Sequence, residues 1–202
     1  MTDSNPSPCP DPSLPSPTSL TAFVGLDPGK AGGLAALLPD GSVRFRPMPK
    51  NDADLWDWLT LPKVWREVEG IRTIICLEQV SGYIGGVGHP GSAMFRFGEG
   101  YGFLRGLLYA AGFRTGDGNL FLTPPQEWMR GLGLRKRRKG SKLDGLPNGG
   151  KETDTEWKNY LRQEASKRFP QLKVTLAVSD ALLLAWYCRQ KFGGTDYATA
   201  TV

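Results

Sequence analysis

Histidine is almost absent from this chain: His89 is the only one in 202 residues. The three cysteines, Cys9, Cys76 and Cys188, lie far apart, so no Cys/His spacing of the kind that holds zinc can be drawn. Their odd number, with Cys76 inside an apolar run, excludes a dense disulfide framework and fits reduced thiols in a cytoplasmic setting. No run approaches the roughly 20 consecutive apolar residues that cross a bilayer, so a soluble protein with no membrane partner is expected. The first twenty residues contain no aromatic residue, lysine or arginine, but six Pro and five Ser. Such a segment lacks the basic start and apolar run of a secretory signal, and it has too little apolar surface to offset the entropy of ordering. We expect residues 1–20 to form a disordered Pro/Ser-rich tail, 21–194 one domain, and 195–202 a flexible C-terminus. Also missing is a Walker pattern: in "GLDPGKA" four residues do not separate the glycine from "GK", and no Ser or Thr follows. A single copy of "LDPG" in a chain of this length also argues against the duplicated domains of a sugar-kinase or actin-like ATPase.

What is present is a regular alternation of short apolar runs and amphipathic stretches. A hydrophobic content of 40% is enough for one well-covered core. "TAFVGLD" and "GGLAALLP" read as two strands joined by the turn "DPGKA". Asp40-Gly41 then signals a hairpin into a third strand around Val43 to Arg46. "NDADLWDWLTLPKVWREVEG" has helical spacing with Asn51 or Asp52 as its cap and an interruption near Pro62. "IRTIICLEQV" is the most continuous apolar strand, which predicts cover on both faces. After the glycine-rich "SGYIGGVGHPGS" comes a helix in "AMFRFGEGYGFLRGLLYAAGF", then a fifth strand in "NLFLT" and a short helix from about Pro125. A helix from Thr153 or Asp154 to Phe169 precedes a last one in "SDALLLAWYCRQKFG", for which Ser179 is the expected N-cap. Three meander strands followed by alternating helices and strands imply a mixed α/β sheet with crossover helices.

Asp27 closes the first strand, Glu78 closes the central apolar strand, and Asp180 stands at the start of the last helix. Singly, each has an ordinary reading: a turn former before Pro-Gly, a structurally paired carboxylate, a helix-start acid. Jointly they say more. Carboxyl ends of neighbouring parallel strands lie together where open α/β sheets bind ligands. Several carboxylates gathered there repel unless cations are bound, and magnesium favours such oxygen ligands. The formal charge of +5 is also unevenly spread: "RGLGLRKRRKGSK", Arg130 to Lys142, holds seven Lys or Arg and no acid. This run suits either a solvated loop or a loop that contacts nucleic-acid phosphates.

The segments "VGLDPG…GGLAAL", "IICLEQV", "GVGHPGSAMFRFGEGYG", "LTPPQEWMRGLGL", "EWKNYLRQEASKRFP" and "SDALLLAWY" occur in the order and rough spacing of RuvC-type Holliday-junction resolvases of the RNase H-like superfamily. The resemblance runs from about Thr21 to Lys191, and its long glycine-rich loop is nearer the phage and organellar branch. It implies an RNase H-like five-stranded mixed sheet, order 3-2-1-4-5, flanked by helices. It further implies a homodimer that nicks opposed strands of a four-way DNA junction, leaving 5′-phosphate and 3′-hydroxyl ends. Asp27, Glu78 and Asp180 would be the catalytic metal ligands for two Mg²⁺ per site, with Mn²⁺ able to substitute and no small-molecule cofactor. Two metals about 4 Å apart would activate a water and stabilise the leaving oxygen. The expected location is the cytoplasm, on the nucleoid or in a phage-infected cell. Many members carry a fourth acid or histidine three or four positions before the last; here those positions are Ala177 and Leu176, and Ser179 is the nearest polar substitute.

Around this core, Lys30 and Lys158 are candidate phosphate contacts beside the acids, with a solvated helix lysine the ordinary reading of Lys158. Arg135, Lys136, Arg137, Arg138, Lys139 and Lys142 would serve affinity, because backbone contacts position a strand without reading it. Phe95, Phe97 and Tyr101 lie where a junction base could stack, although core packing of at least two of the three is the simpler expectation. Trp128 and Trp157 read as core residues. The alternative function is a non-catalytic or broader-specificity branched-DNA-binding protein of the same fold.

Overall fold

A computed structural model describes residues 20–80, 91–134 and 154–193. All of the expected tail but Leu20, the expected flexible C-terminus 195–202, the basic run from Arg135 to Lys142, Cys9 and His89 lie outside the described residues. Five strands, β1 (Thr21–Leu26), β2 (Gly33–Leu37), β3 (Val43–Pro47), β4 (Arg72–Glu78) and β5 (Leu120–Thr123), form one sheet in the order β3-β2-β1-β4-β5. The meander strands pair antiparallel, whereas β1 with β4 and β4 with β5 run parallel. This is the mixed α/β layout of the RNase H-like kind that the motifs implied. Five helices flank it: α1 (Asp52–Val68), α2 (Gly91–Ala110), α3 (Pro125–Gly131), α4 (Asp154–Arg168) and α5 (Leu176–Phe192).

Strand periodicity divides the core into two layers, since successive side chains point to opposite faces. Phe23, Ala35, Ile74 and Cys76 pack with α3, α4 and α5. Ala22, Val24, Leu34, Ile75 and Leu77 pack with α1 and α2 on the other side. The same parity places the acids. Continuing the first set in steps of two along β1 and β4 reaches Asp27 and Glu78, so both carboxylates belong to the face that α5 covers.

Helix α5 sits unusually close to that face. A Cβ at Gly25 would collide with the backbone of Ala181 and Ala185, and one at Gly33 would stand 2.5 Å from the carbonyl oxygen of Ala177. Absent side chains on β1 and β2 therefore let the helix backbone rest on the sheet, and Asp180 lies in the turn between those two contacts.

Two expectations need correction. Pro62 does not interrupt α1, which runs unbroken from Asp52 to Val68 with Pro62 buried alongside Leu55, Trp58, Leu59 and Trp65. The proline forfeits one helical hydrogen bond, but the apolar stripe packed on the sheet outweighs it, and the Pro62 carbonyl accepts from Thr73 Oγ1 at 3.4 Å. Asn51 caps this helix, accepting from the Asp54 amide at 2.8 Å. Nor is Ser179 an N-cap: α5 begins one turn earlier, after Thr175, and Ser179 is buried inside it. Gly33 explains the extra turn, because it makes room for Ala177.

Two glycine substitutions separate these effects. Gly25→Val should cost ~3 kcal/mol or more by forcing α5 off the sheet. Gly100→Ala in α2, where among the described residues nothing beyond the helix's own backbone lies within 4 Å of the new methyl group, should gain ~0.5–1 kcal/mol. Urea denaturation of the two variants measures both.

Candidate active site

Asp27 comes directly after β1 and is held by its own turn. Its Oδ1 accepts from the Gly29 amide at 3.3 Å, and its amide donates to the Gly33 carbonyl at 3.0 Å. Gly32 closes that turn from above: a Cβ there would lie 2.6 Å from the Asp27 carboxyl carbon and 2.7 Å from Oδ2. The "AGG" after "DPGK" thus keeps space for a carboxylate. Glu78 ends β4, whose parallel register with β1 pairs Leu26 with Leu77 and leaves Asp27 beside Glu78. Its Oε2 accepts from Trp128 Nε1 at 3.0 Å. Asp180 arrives on α5, with Oδ1 accepting from Ser179 Oγ at 3.0 Å; the same hydroxyl also lies 3.1 Å from the Leu176 carbonyl. Ser179 is therefore occupied inside the protein.

The three acids sense one another electrically. Burial pushes the Asp27 carboxyl up to about 6, with the charge on Asp180 adding to the effect, while the Gly29 amide and Lys158 oppose it. Glu78 is pushed up to about 8, first by burial and then by the charges on Asp27 and Asp180, against the pull of the Trp128 hydrogen bond. Asp180 is raised by burial and lowered in part by Ser179 and Lys158. Each is half-buried at one end of the sheet, where low dielectric strengthens the repulsion.

Asp27 and Glu78 open onto a cleft of about 630 Å³ bounded by Gln79, Val80, Phe97 and Pro124. Asp180 is not part of that lining. Among the described residues no three Asp, Glu, His or Cys side chains are gathered tightly enough to make a ready-built metal cage. The donor chemistry nevertheless suits a hard divalent cation: three oxygen-bearing side chains share one region, each disfavoured as an anion, first by burial. Leu176 and Ala177, where a fourth ligand would stand, add nothing.

The other expected site residues are spread around this centre. Lys158 is exposed on α4 yet near enough to stabilise the charges of Asp27 and Asp180. Lys30 lies next door, in a groove of about 550 Å³ shared with Lys50, Arg96 and Phe97. Phe97 forms part of the wall of both hollows. Phe95 is 72% exposed, and of the aromatic trio only Tyr101 packs against a core cluster. The expected packing of two of the three therefore fails: Phe95 is exposed, and Phe97, partly buried, lines the two hollows and not a core cluster.

Trp128 reads in the sequence only as core. It is fully buried, but its indole N–H is what anchors Glu78. Short helix α3 is itself tied to α5, since Glu127 Oε1 accepts from Tyr187 Oη at 2.8 Å and from Lys191 Nζ. The sequence signal is the Pro124-Pro125 start, which fixes where the helix begins and so which face carries the tryptophan.

No family model matches the chain and no curated protein matches it.

The raised carboxyls carry a stability signature. A folded-state pKa above the unfolded value means that the native state binds the extra proton, so stability is present at low pH and lost as pH rises through the folded values. For Asp27 and Glu78 the window runs from about 4 to about 8. In chelator, melting temperature should fall across that window. Asp27→Asn, which retains the acceptor for Gly29, should flatten the fall and gain ~2–4 °C at its alkaline end for each kcal/mol of repulsion relieved. Thermal melts in a buffer series check this.

Proposed function

We propose that the chain is a metal-dependent endonuclease acting on branched DNA, a junction resolvase of the RuvC type. The observation that carries this reading is the convergence of Asp27, Glu78 and Asp180, from two parallel strand ends and one helix, around a shared patch of unfavourable negative charge. Asp27, Glu78 and Asp180 would hold Mg²⁺ or Mn²⁺, which when bound supplies a neutralising charge and an activated nucleophile for phosphodiester hydrolysis.

The protein's own groups would prepare the reaction. Trp128 holds one Glu78 oxygen, leaving the other for the cleft. The Gly29 amide fixes Asp27, and Gly32 leaves its carboxylate unobstructed. Lys158 offers a positive charge to a phosphate arriving beside Asp27 and Asp180. Lys30, Lys50 and Arg96, in the adjoining groove, extend positive charge along the path of a strand entering past Phe97. The run Arg135 to Lys142 would add salt-sensitive affinity. Two active sites on a homodimer would serve the paired nicks that a four-way junction needs.

A second reading, a branched-DNA-binding protein without chemistry, is favoured by one observation: the fourth acidic position is filled by Leu176 and Ala177. Titrating Mg²⁺ against a labelled four-way junction distinguishes the two. Under the nuclease reading the wild type yields ligatable nicks, while Asp27→Asn and Glu78→Gln lose activity by ~10³-fold or more with junction affinity within a few-fold of wild type. Binding without any Mg²⁺- or Mn²⁺-dependent product favours the second reading. Equal rates on linear duplex would indicate a general nuclease.

A further inference from the structure

Charge explains why the three acids would attract a cation, but not how their oxygens are divided. Each has one carboxyl oxygen engaged by the protein: Asp27 Oδ1 by the Gly29 amide at 3.3 Å, Glu78 Oε2 by the Trp128 indole at 3.0 Å, and Asp180 Oδ1 by the Ser179 hydroxyl at 3.0 Å. The second oxygen of each has no hydrogen bond to a described residue. Beside Asp27 the missing side chain of Gly32 keeps that second oxygen clear, since a Cβ there would lie 2.7 Å from Oδ2. The three anchors differ in firmness. The Ser179 hydroxyl has a single proton and also lies 3.1 Å from the Leu176 carbonyl, and the Gly29 bond is long, whereas an indole N–H only donates. The bond to Glu78 is also fixed at both ends. Glu78 pairs with Thr123 of β5, the Gln79 amide donates to the Thr123 carbonyl at 2.8 Å, and α3, which carries Trp128, starts two residues later. From the other side α3 lies against Tyr187, whose ring leaves no room for a Cβ at Gly131.

A carboxylate can offer a cation one oxygen or both. Ca²⁺ gathers about six to eight oxygens and readily takes both from one carboxylate, whereas Mg²⁺ demands a near-ideal octahedron and keeps several of its waters. For Glu78 to turn and present both oxygens, it would have to break its bond to Trp128 and leave a buried N–H unpaired, which the fold resists. We propose that Trp128 is a positioning residue: by holding Glu78 Oε2 it restricts this acid to single-oxygen ligation, and the site thereby selects a small octahedral cation such as Mg²⁺ over Ca²⁺. Ser179 acts on Asp180 in the same sense, less firmly. A bond that served only to satisfy the N–H of a buried tryptophan would be met equally by a backbone carbonyl and would leave cation choice untouched. The proposal rests on the metal-binding part of the reading above, and adds to it the residue that sets the preference among cations.

The test is the melting midpoint of the full chain against MgCl₂ and, separately, CaCl₂ concentration at constant ionic strength, which yields an apparent dissociation constant for each cation. Wild type should bind Mg²⁺ more tightly than Ca²⁺. Trp128→Phe removes the N–H and keeps a ring in the core; it should move the ratio of the two constants toward Ca²⁺ by ~10-fold or more. Ser179→Ala, which deletes only a hydroxyl and decides the matter if Trp128→Phe does not fold, should move it the same way by about threefold. Trp58→Phe, in the opposite core layer, should lower the melting point but keep the ratio within about twofold of wild type. A wild type that binds Ca²⁺ as tightly as Mg²⁺, a ratio unchanged in folded Trp128→Phe or, failing that, in Ser179→Ala, or a ratio moved equally by Trp58→Phe would overturn the proposal. A wild-type melt that neither cation moves would overturn it together with the metal-binding reading. The predicted shift in ratio, obtained without any cleavage of a junction, would uphold the proposal while the nuclease reading failed.

Discussion

The close seating of α5 on β1 and β2 is the constraint on which the rest of the site depends. Layers in a protein core normally keep side chains between their backbones, about 10 Å apart. Here Gly25 and Gly33 remove those side chains at two points one helical turn apart, and the backbone of Ala177, Ala181 and Ala185 comes down into the gap. Because strand parity already directs Asp27 and Glu78 to that face, the descent of the helix carries Asp180 toward them. A bulkier residue at either glycine would lift the helix and separate the acids without altering any of the three carboxyl groups themselves.

Closeness of this kind works against the fold. Burial and mutual repulsion raise the carboxyls, and the Gly29 amide, the Ser179 hydroxyl, the Trp128 indole and Lys158 offset it only in part. Local strain of this sort is sustained by packing elsewhere. The two layers around the sheet supply that packing, including fully buried Phe23, Ile74, Leu77, Phe113 and Trp128. The clamp of Glu127 on Tyr187 and Lys191 adds a second level of support, since it holds α3, and with it Trp128, against α5.

Much of this is legible in the sequence because the relevant signals are local. Short apolar runs separated by Asp-Pro-Gly and Asp-Gly turns mark the meander, and the unbroken "TIICL" marks a central strand. Asp27 and Glu78 can be placed because each ends such a run. What stays hidden depends on tertiary contact. Pro62 reads as a break until the stripe from Leu55 to Trp65 is seen to hold the helix against the sheet. Ser179 reads as a cap until Gly33 is seen to accommodate another turn before it. Trp128 reads as core because spacing shows that a side chain is buried, not which atom its N–H meets. Core packing of at least two of Phe95, Phe97 and Tyr101 reads as the simpler expectation since aromatic residues usually are interior, but Phe95 is exposed and Phe97 lines the hollows beside the acids instead.

The central claim is that these three acids form a place where positive charge is required. It is tested most directly by the melting temperature of the chain at about pH 8, the raised value at Glu78, with and without Mg²⁺, in wild type and in Asp27→Asn and Glu78→Gln. Preferential binding to the folded state predicts a rise in the wild type that grows with Mg²⁺ concentration and is lost in both variants. An unchanged wild-type melt, or an equal rise in all three proteins, would contradict the account.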